Sequence, residues 1–496
     1  MSDPLTSFAI NFIAVVGIIL LLLMVTVALT ALVLYQVDKH QTRHTIRRNY
    51  PLIGRFRYLF EHIGEFFRQY FFAMDREEMP FNRAERAWVY RSSKNIDSTI
   101  AFGSTRDLRI PGTYYFLNTP FPTLTEDAVQ TQPMRIGPTC QHPYDAPSLF
   151  NISGMSYGAL SRPAVEALSQ GAKKAGCWMN TGEGGLSPYH IEAGCDLVYQ
   201  IGTAKYGVRD EQGRLSDQKL LEKAAIPQVR MFEIKLSQGA KPGKGGILPA
   251  EKVNAEIAAI RGIPAGEASL SPNRHPDIAN INDLLNMVER IRRVTGKPCG
   301  FKLVLGETQW LDEFFQAVLE RGQDSAPDFI TLDSSDGGTG AAPMPLMDSV
   351  GLPLKESLPL LVNKLHEYGL RDRIRVIASG KLINPTNVAA ALCMGADFIV
   401  SARGFMFALG CIQALQCNKN TCPTGVTTHN PVLQRGLVPE VKAERVAFYH
   451  QHLVHEVEMI AHSCGVNEPR RLQRRHAAIV VEGSRSIPLN VLYPDP

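Results

Sequence analysis

The sequence predicts an α/β protein built on a (β/α)8 TIM barrel, with an N-terminal transmembrane helix and helical N- and C-terminal extensions. Three observations predict it. Eight short apolar segments recur, most ending in Gly, Ser, Asp or Lys; most are followed by a helical pattern; and an uncharged run precedes them all. The chain's 496 residues, 45% hydrophobic and 20% charged, suffice for one large barrel with a substantial core. A net charge of +4 is too small to argue for nucleic acid, which is excluded as a partner.

The uncharged run, residues 8–35, exceeds the ~20 residues needed to cross ~30 Å of hydrocarbon. Its flanks favour a retained anchor over a cleaved signal peptide: Asp3 and no Lys or Arg precede it, and no Ala-x-Ala site follows. Lys39, Arg43, Arg47, Arg48, Arg55 and Arg57 follow it, so a single pass through the inner (cytoplasmic) membrane leaves the body in the cytoplasm. Residues 38–147 form a juxtamembrane lead-in. Its first half mixes bases with aromatics (Phe66-Phe67-Arg68-Gln69-Tyr70-Phe71-Phe72), as an amphipathic helix at the membrane surface or one packed on the barrel would. Residues 95–147 are irregular, rich in Pro and Thr, and extended.

The barrel is expected over residues 148–429. Its strands are placed at 149–153, 177–180, 229–235, 267–270, 299–304, 329–333, 375–379 and 398–402. Helices are expected at 162–175, 250–261, 281–295, 311–321, 356–368 and 386–394. An open doubly wound sheet would leave two strands unused. The fourth strand and the insertion 187–225 fit the rhythm least well, and residues 430–496 read as a helical extension.

In such barrels the working groups lie at the C-terminal strand ends. Glycines after the seventh and eighth strands let backbone N–H groups approach a phosphate, and Lys381 and Arg403 beside them can supply counter-charge. Lys302, at the fifth strand end, could stabilise an anionic reduced flavin or a substrate carboxylate. The run Asp336–Gly340, with Gly337 and Gly338, allows close approach to a planar or phosphorylated ligand.

Of nine cysteines, Cys140, Cys177, Cys195, Cys299, Cys393 and Cys464 are scattered in apolar surroundings and read as small buried hydrophobes. Cys411, Cys417 and Cys422 cluster, the last followed by Pro423, in a spacing that suits an iron–sulfur centre. Three thiolates without a fourth indicate a [3Fe–4S] cluster, or a [4Fe–4S] with an outside ligand. Zinc with His429 as fourth ligand, or three free thiols, are the alternatives.

Residues 151–428 resemble the FMN-binding synthase domain of glutamate synthases. The motifs are Ser153–Ser161 (SGMSYGALS), Asn180–Gly185 (NTGEGG), Glu233–Lys241 (EIKLSQGAK), His275-Pro-Asp-Ile278, Lys302-Leu-Val304, Asp336–Ala341 (DGGTGA) and the cysteine segment. The resemblance implies FMN, a [3Fe–4S] cluster on Cys411, Cys417 and Cys422, and reduction of 2-iminoglutarate, made from 2-oxoglutarate and ammonia. It places Ser153, Gly154, Met155 and Ser156 against the flavin. Gln238, Lys241 and Lys302 then stand at the flavin edge or the oxoacid carboxylates, and Gly380, Lys381, Ala402 and Arg403 at the phosphate. Glu183 would orient substrate or move a proton, or cap the following helix; His275 and Asp277 would hold a loop.

The expected partners are an oxoacid, ammonia or an amine, the membrane, and an electron donor: ferredoxin, quinone or a reductase subunit. A run beginning with a membrane span leaves no glutaminase domain, and no Gly-x-Gly-x-x-Gly follows a strand. Gly380-Lys381 replaces the family's double glycine, and Leu305-Gly-Glu307 is altered, which opens the choice of oxoacid. The alternative function is a membrane-tethered flavin and iron–sulfur electron-transfer subunit.

Overall fold

The computed structural model describes residues 4–495 in two compact units that divide between Ala84 and Glu85. In the first, Pro4–His40 is the one helix, among the described residues, long and apolar enough to cross a membrane. Its Thr26 and Thr30 hydroxyls donate to carbonyls four residues back at 2.8 Å, so these two hydroxyls are satisfied within the helix. A fixed corner follows. The Asp38 carboxylate accepts two N–H groups of Arg55 at 2.7 and 2.8 Å and the Leu52 backbone N–H at 3.1 Å, tying the first helix to Ile53–Phe67. Gly54 permits the crossing, because a Cβ there would lie 2.8 Å from the Ile46 carbonyl oxygen.

The second unit holds a closed barrel of eight parallel strands. They are β1 (Phe150–Ile152), β2 (Met179–Asn180), β3 (Leu197–Ile201), β4 (Val229–Lys235), β5 (Cys299–Val304), β6 (Phe329–Asp333), β7 (Arg375–Ser379) and β8 (Phe398–Ser401). Each pairs with its successor, and β8 returns to β1 through Ile399 opposite Phe150. Their side chains are buried almost throughout, as expected of parallel strands covered by helices. Ser161, Asn280 and Asn384 start the helices Arg162–Ala175, Ile281–Thr295 and Pro385–Cys393 by accepting a first-turn N–H. Left-handed Gly176 and Gly296 end the first two.

One strand assignment is corrected. Residues 267–270 are not in the barrel: only Ser269–Leu270 is strand, paired antiparallel with Ile247–Leu248 in a separate hairpin whose Leu270 is 66% exposed. The barrel strand is instead Leu197–Ile201, every residue of it buried, inside the segment read as an insertion. The reason is physical: strands of a parallel barrel are covered on both faces, whereas Leu270 is solvated.

The lead-in is less irregular than its composition implied. Met134–Ile136 pairs with Tyr144–Ala146, and Ile136, Tyr144 and Ala146 pack on Trp178, Met231, Phe329 and Phe398 at the strand starts. That end of the barrel is therefore sealed. Beyond the barrel, Pro439–Ser463 lies on Arg162–Ala175 so closely that a Cβ on Gly171 would sit 2.4 Å from Val446. The extension is helical but also contributes Ala477–Val480, which pairs with Tyr114–Phe116 and Ser486–Pro488 in a three-stranded sheet.

Candidate active site

At the open end, the strand tips build a polar floor. Glu233 of β4 accepts hydrogen bonds from Asn180 Nδ2 (2.8 Å), Gln200 Nε2 (2.7 Å) and Thr331 Oγ1 (2.6 Å), so its buried carboxylate is well partnered. Beside it, buried Lys302 of β5 meets Asp333 of β6 at 3.0 Å. Asp333 also accepts from Gly239 N–H at 3.0 Å and Ser379 Oγ at 2.9 Å. Burial alone would discharge Lys302, but Asp333 and Glu233 hold its ammonium above the ordinary value.

Two joined cavities stand on this floor. One, of about 520 Å³, is lined by Ser153, Lys302, Ser379, Gly380 and Lys381; the other, of about 980 Å³, by Met155, Ser156, Glu183, Lys241 and Arg261. Gly154, Gln200, Lys235, Gln238, Ala402 and Arg403 face both. The walls are shaped by missing side chains. A Cβ on Gly154 would lie 2.9 Å from Asn180 Oδ1 and Gln200 Nε2, and one on Gly380 would lie 2.3 Å from Ser334 Cβ. Glycine at both positions lets the strand tips pack close together under the cavities.

The larger cavity is rich in cations. Glu183 pairs with Lys235 at 2.9 Å, and Lys235 donates onward to Gln238, whose Nε2 donates to Thr339 Oγ1 at 2.9 Å. Burial would raise Glu183, but Lys235, Lys241 and Arg261 drag its carboxyl from 4.5 to about 2. Burial pulls the Lys241 ammonium down despite Glu183. Glu183 is thus a fixed anion rather than a helix cap; the next helix, Pro188–Ile191, is capped by Ser187. Because its folded pKa is depressed, Glu183 adds stability above the unfolded carboxylate value that disappears as pH falls from 4.5 toward 2. Glu183→Gln is expected to remove on the order of 2 kcal/mol of that acid-limb dependence, read by urea unfolding at stepped pH. An unchanged profile would contradict it.

The cysteine loop adjoins the larger cavity through Cys417. It follows the helix Arg403–Leu409 and turns on left-handed Gln413, Leu415 and Asn420. Tyr90 OH donates to the Cys411 carbonyl at 2.6 Å, and Arg403 Nη1 lies 3.6 Å from Cys417 Sγ. Burial would raise the Cys422 thiol, yet hydrogen bonds from Thr424 and Thr427 bring it below its ordinary value. Burial pushes Cys411 up to about 11 and Cys195 to about 12. Lys252, also buried, donates to the carbonyls of Ala159 (3.3 Å), Cys417 (2.7 Å) and Thr427 (2.5 Å) beneath the loop. No three His, Cys, Asp or Glu among the described residues converge as a single metal ion needs, and His429 Nε2 is engaged by the Gly158 carbonyl at 2.8 Å.

The family described as a conserved region in glutamate synthase matches residues 122–467. Across 503 aligned residues, 94% of this chain and 95% of the relative, the chain is 40% identical to the glutamate synthase large subunit-like protein YerD of Bacillus subtilis (strain 168). The chain belongs to the glutamate synthase family. That membership makes it an oxidoreductase of this type. It is 36% identical to the archaeal glutamate synthase (NADPH) of Methanocaldococcus jannaschii over 65% of this chain, and spans 60% of that relative. Among solved structures, the flavin-binding domain of baker's yeast flavocytochrome b2 covers 82% of the chain, and the chain 83% of it, at 14% identity and a TM-score of 0.46.

Most residues singled out from the glutamate synthase motifs line the two cavities; Gly337, His275, Asp277, Cys411 and Cys422 do not. Gly337 sits behind the wall, its N–H on the Ser334 carbonyl at 2.9 Å, where a Cβ on Gly239 would strike it at 2.9 Å. Lys381 pairs with Asp336 at 3.1 Å. His275 and Asp277 hold loops, the first on the Lys235 carbonyl at 3.0 Å and the second on Lys205 at 2.8 Å. Sequence reasoning missed Gln200, Glu233, Asp333 and Arg261. Gln200 lies on the strand it overlooked, and Glu233 lay unassigned within its own motif.

Proposed function

We propose that the chain is a membrane-tethered flavoenzyme that binds FMN across the two joined cavities. It reduces an imino acid, formed from 2-oxoglutarate or a related oxoacid and ammonia or an amine, to an amino acid. The observation that carries the reading is the joining of the bare-backbone cradle at Gly154 and Gly380 to a cavity walled by Lys235, Lys241 and Arg261. FMN bound there would supply the hydride. Ser153, Gly154, Met155, Ser156 and Gly338 would flank its ring, and Gly380, Lys381 and Ala402 its phosphate. Lys302 would compensate negative charge at the ring, while Lys241 and Gln238 bind oxoacid carboxylates. Lys241, its proton loosened by burial, is the better proton donor; Glu183, fixed as an anion, orients the lysines.

Cys411, Cys417 and Cys422 would hold an iron–sulfur cluster of the [3Fe–4S] or [4Fe–4S] type that delivers electrons from ferredoxin, a quinone or a reductase subunit. Thiolates on different irons need not converge on one point, and Arg403 and Lys252 supply positive charge for an anionic cluster. The helix Pro4–His40 would anchor the chain in the inner membrane, body in the cytoplasm. Exposed Ile53, Phe56, Phe60, Phe67 and Phe71 form one stripe at helical spacing that suits the adjoining leaflet.

The test is anaerobic purification in detergent, with flavin, iron and sulfide assays, followed by titration of the reduced protein with oxoacids plus ammonia or amines. Reoxidation of flavin by one such pair is expected. A protein lacking flavin after reconstitution would sink the reading. Cys417→Ser is expected to lose most of its iron while retaining flavin, as read by metal analysis and the visible spectrum. Iron content equal to the parent's would exclude the cluster assignment.

A further inference from the structure

Arg403 was expected at a phosphate; it lines the smaller cavity with Gly380 and Lys381, and its guanidinium also reaches further. One arm donates to the Thr339 carbonyl, in the loop that walls the larger cavity; the other lies 3.6 Å from Cys417 Sγ. The path between is cleared by Gly338, where a Cβ would lie 2.9 Å from Arg403 Nε. The side chain therefore spans from the flavin-side loop to the cysteine loop, and a guanidinium is the group whose rigid fork can hold two such acceptors at once. The neighbouring cation, Lys252, is committed to three backbone carbonyls and to no sulfur.

We propose that Arg403 is a positioning residue that couples the sulfur centre to the flavin cleft. It favours electron uptake at the Cys417 end and holds the Gly338–Gly340 wall in place. The proposal rests on the reading of the three cysteines as iron–sulfur ligands. Its physics is simple. One electron added to the centre makes it more negative by one charge, and an adjacent buried cation favours the more negative state. The guanidinium keeps its proton in both states, so no proton need accompany the electron. A wall pinned by the same group then gives the flavin a cleft whose shape depends on the cysteine loop.

The test uses the full chain, purified anaerobically in detergent, with redox titration of the cluster monitored by electron paramagnetic resonance and with flavin dissociation read by fluorescence. Arg403→Gln is expected to lower the cluster potential and to speed flavin loss several-fold. Arg403→Lys, which keeps the charge but not the fork, should restore the potential and leave flavin loss fast. Should Arg403→Gln fail to assemble the cluster, Gly338→Ala displaces the guanidinium without removing its charge, and both readouts should still move. An unchanged potential in Arg403→Gln, or in Gly338→Ala should Arg403→Gln assemble no cluster, would overturn the proposal while leaving the proposed function standing. A parent protein without iron would remove the cluster reading and this coupling with it.

Discussion

Replacing Lys302 by Met is expected to destabilise the barrel by about 3–5 kcal/mol and to empty it of flavin, because it leaves a buried carboxylate without its counter-charge. Asp333, 5% exposed at the cavity floor, would keep only Gly239 N–H and Ser379 Oγ as partners. The pair lies on adjacent strands, Lys302 two residues before Asp333's register partner Val304, so the paired backbones hold the two groups together. Adding Asp333→Asn should recover much of the loss, since neighbouring Glu233 is already satisfied by three donors. Urea unfolding of the four proteins in the cycle reads the coupling, and flavin per polypeptide reads the site. A single substitution costing under ~1 kcal/mol with flavin retained would show that the floor does not depend on this pair.

Gly380→Ala is expected to weaken flavin retention at least tenfold while costing about 1–3 kcal/mol. Gly380 has φ of +119°, which side chains rarely adopt, and its Cβ would lie within 2.3 Å of Ser334 Cβ. Ser334 cannot retreat, because its N–H is bound by the Ser379 carbonyl at 2.9 Å and its hydroxyl by the Leu354 N–H at 3.0 Å. The tips of β6 and β7 must part instead. Gly213→Ala is the control: it has φ of +78° but nothing within 4 Å, so it bears strain without a clash. Flavin dissociation rates equal in the two variants would refute the cradle argument.

The barrel was legible in the sequence because its strands are short apolar runs with polar stops. The expected bounds of 229–235, 299–304, 329–333 and 375–379 agree with the strands end to end. Leu-Val-Tyr-Gln-Ile at 197–201 has the same form, with Gly202 after it, but a plausible fourth strand further on had already completed the count of eight. The helices closed by Gly176 and Gly296 were readable for the same local reasons that form them. Direction of long side chains was not. Arg403 sits beside the expected phosphate loop in sequence, yet its reach carries the charge to a sulfur, and only Gly338's bare backbone lets it through. Glu183's company was only partly hidden, since Lys235 ends β4 and Lys241 follows it in one motif, whereas Arg261 arrives from the end of the helix Ala255–Arg261.

The sheet that joins Tyr114–Phe116 to Ala477–Val480 bears on how the molecule is made. Residues 114–116 emerge from the ribosome early and find no partner until residue 477 has followed. Closing so long a loop costs entropy before any ladder bond is gained, so this clasp is a late event in folding. The barrel's strands meet sequential neighbours and can assemble during synthesis. What waits is the belt that fastens lead-in to tail, and a nascent chain stalled short of it would carry a finished barrel with its strap undone.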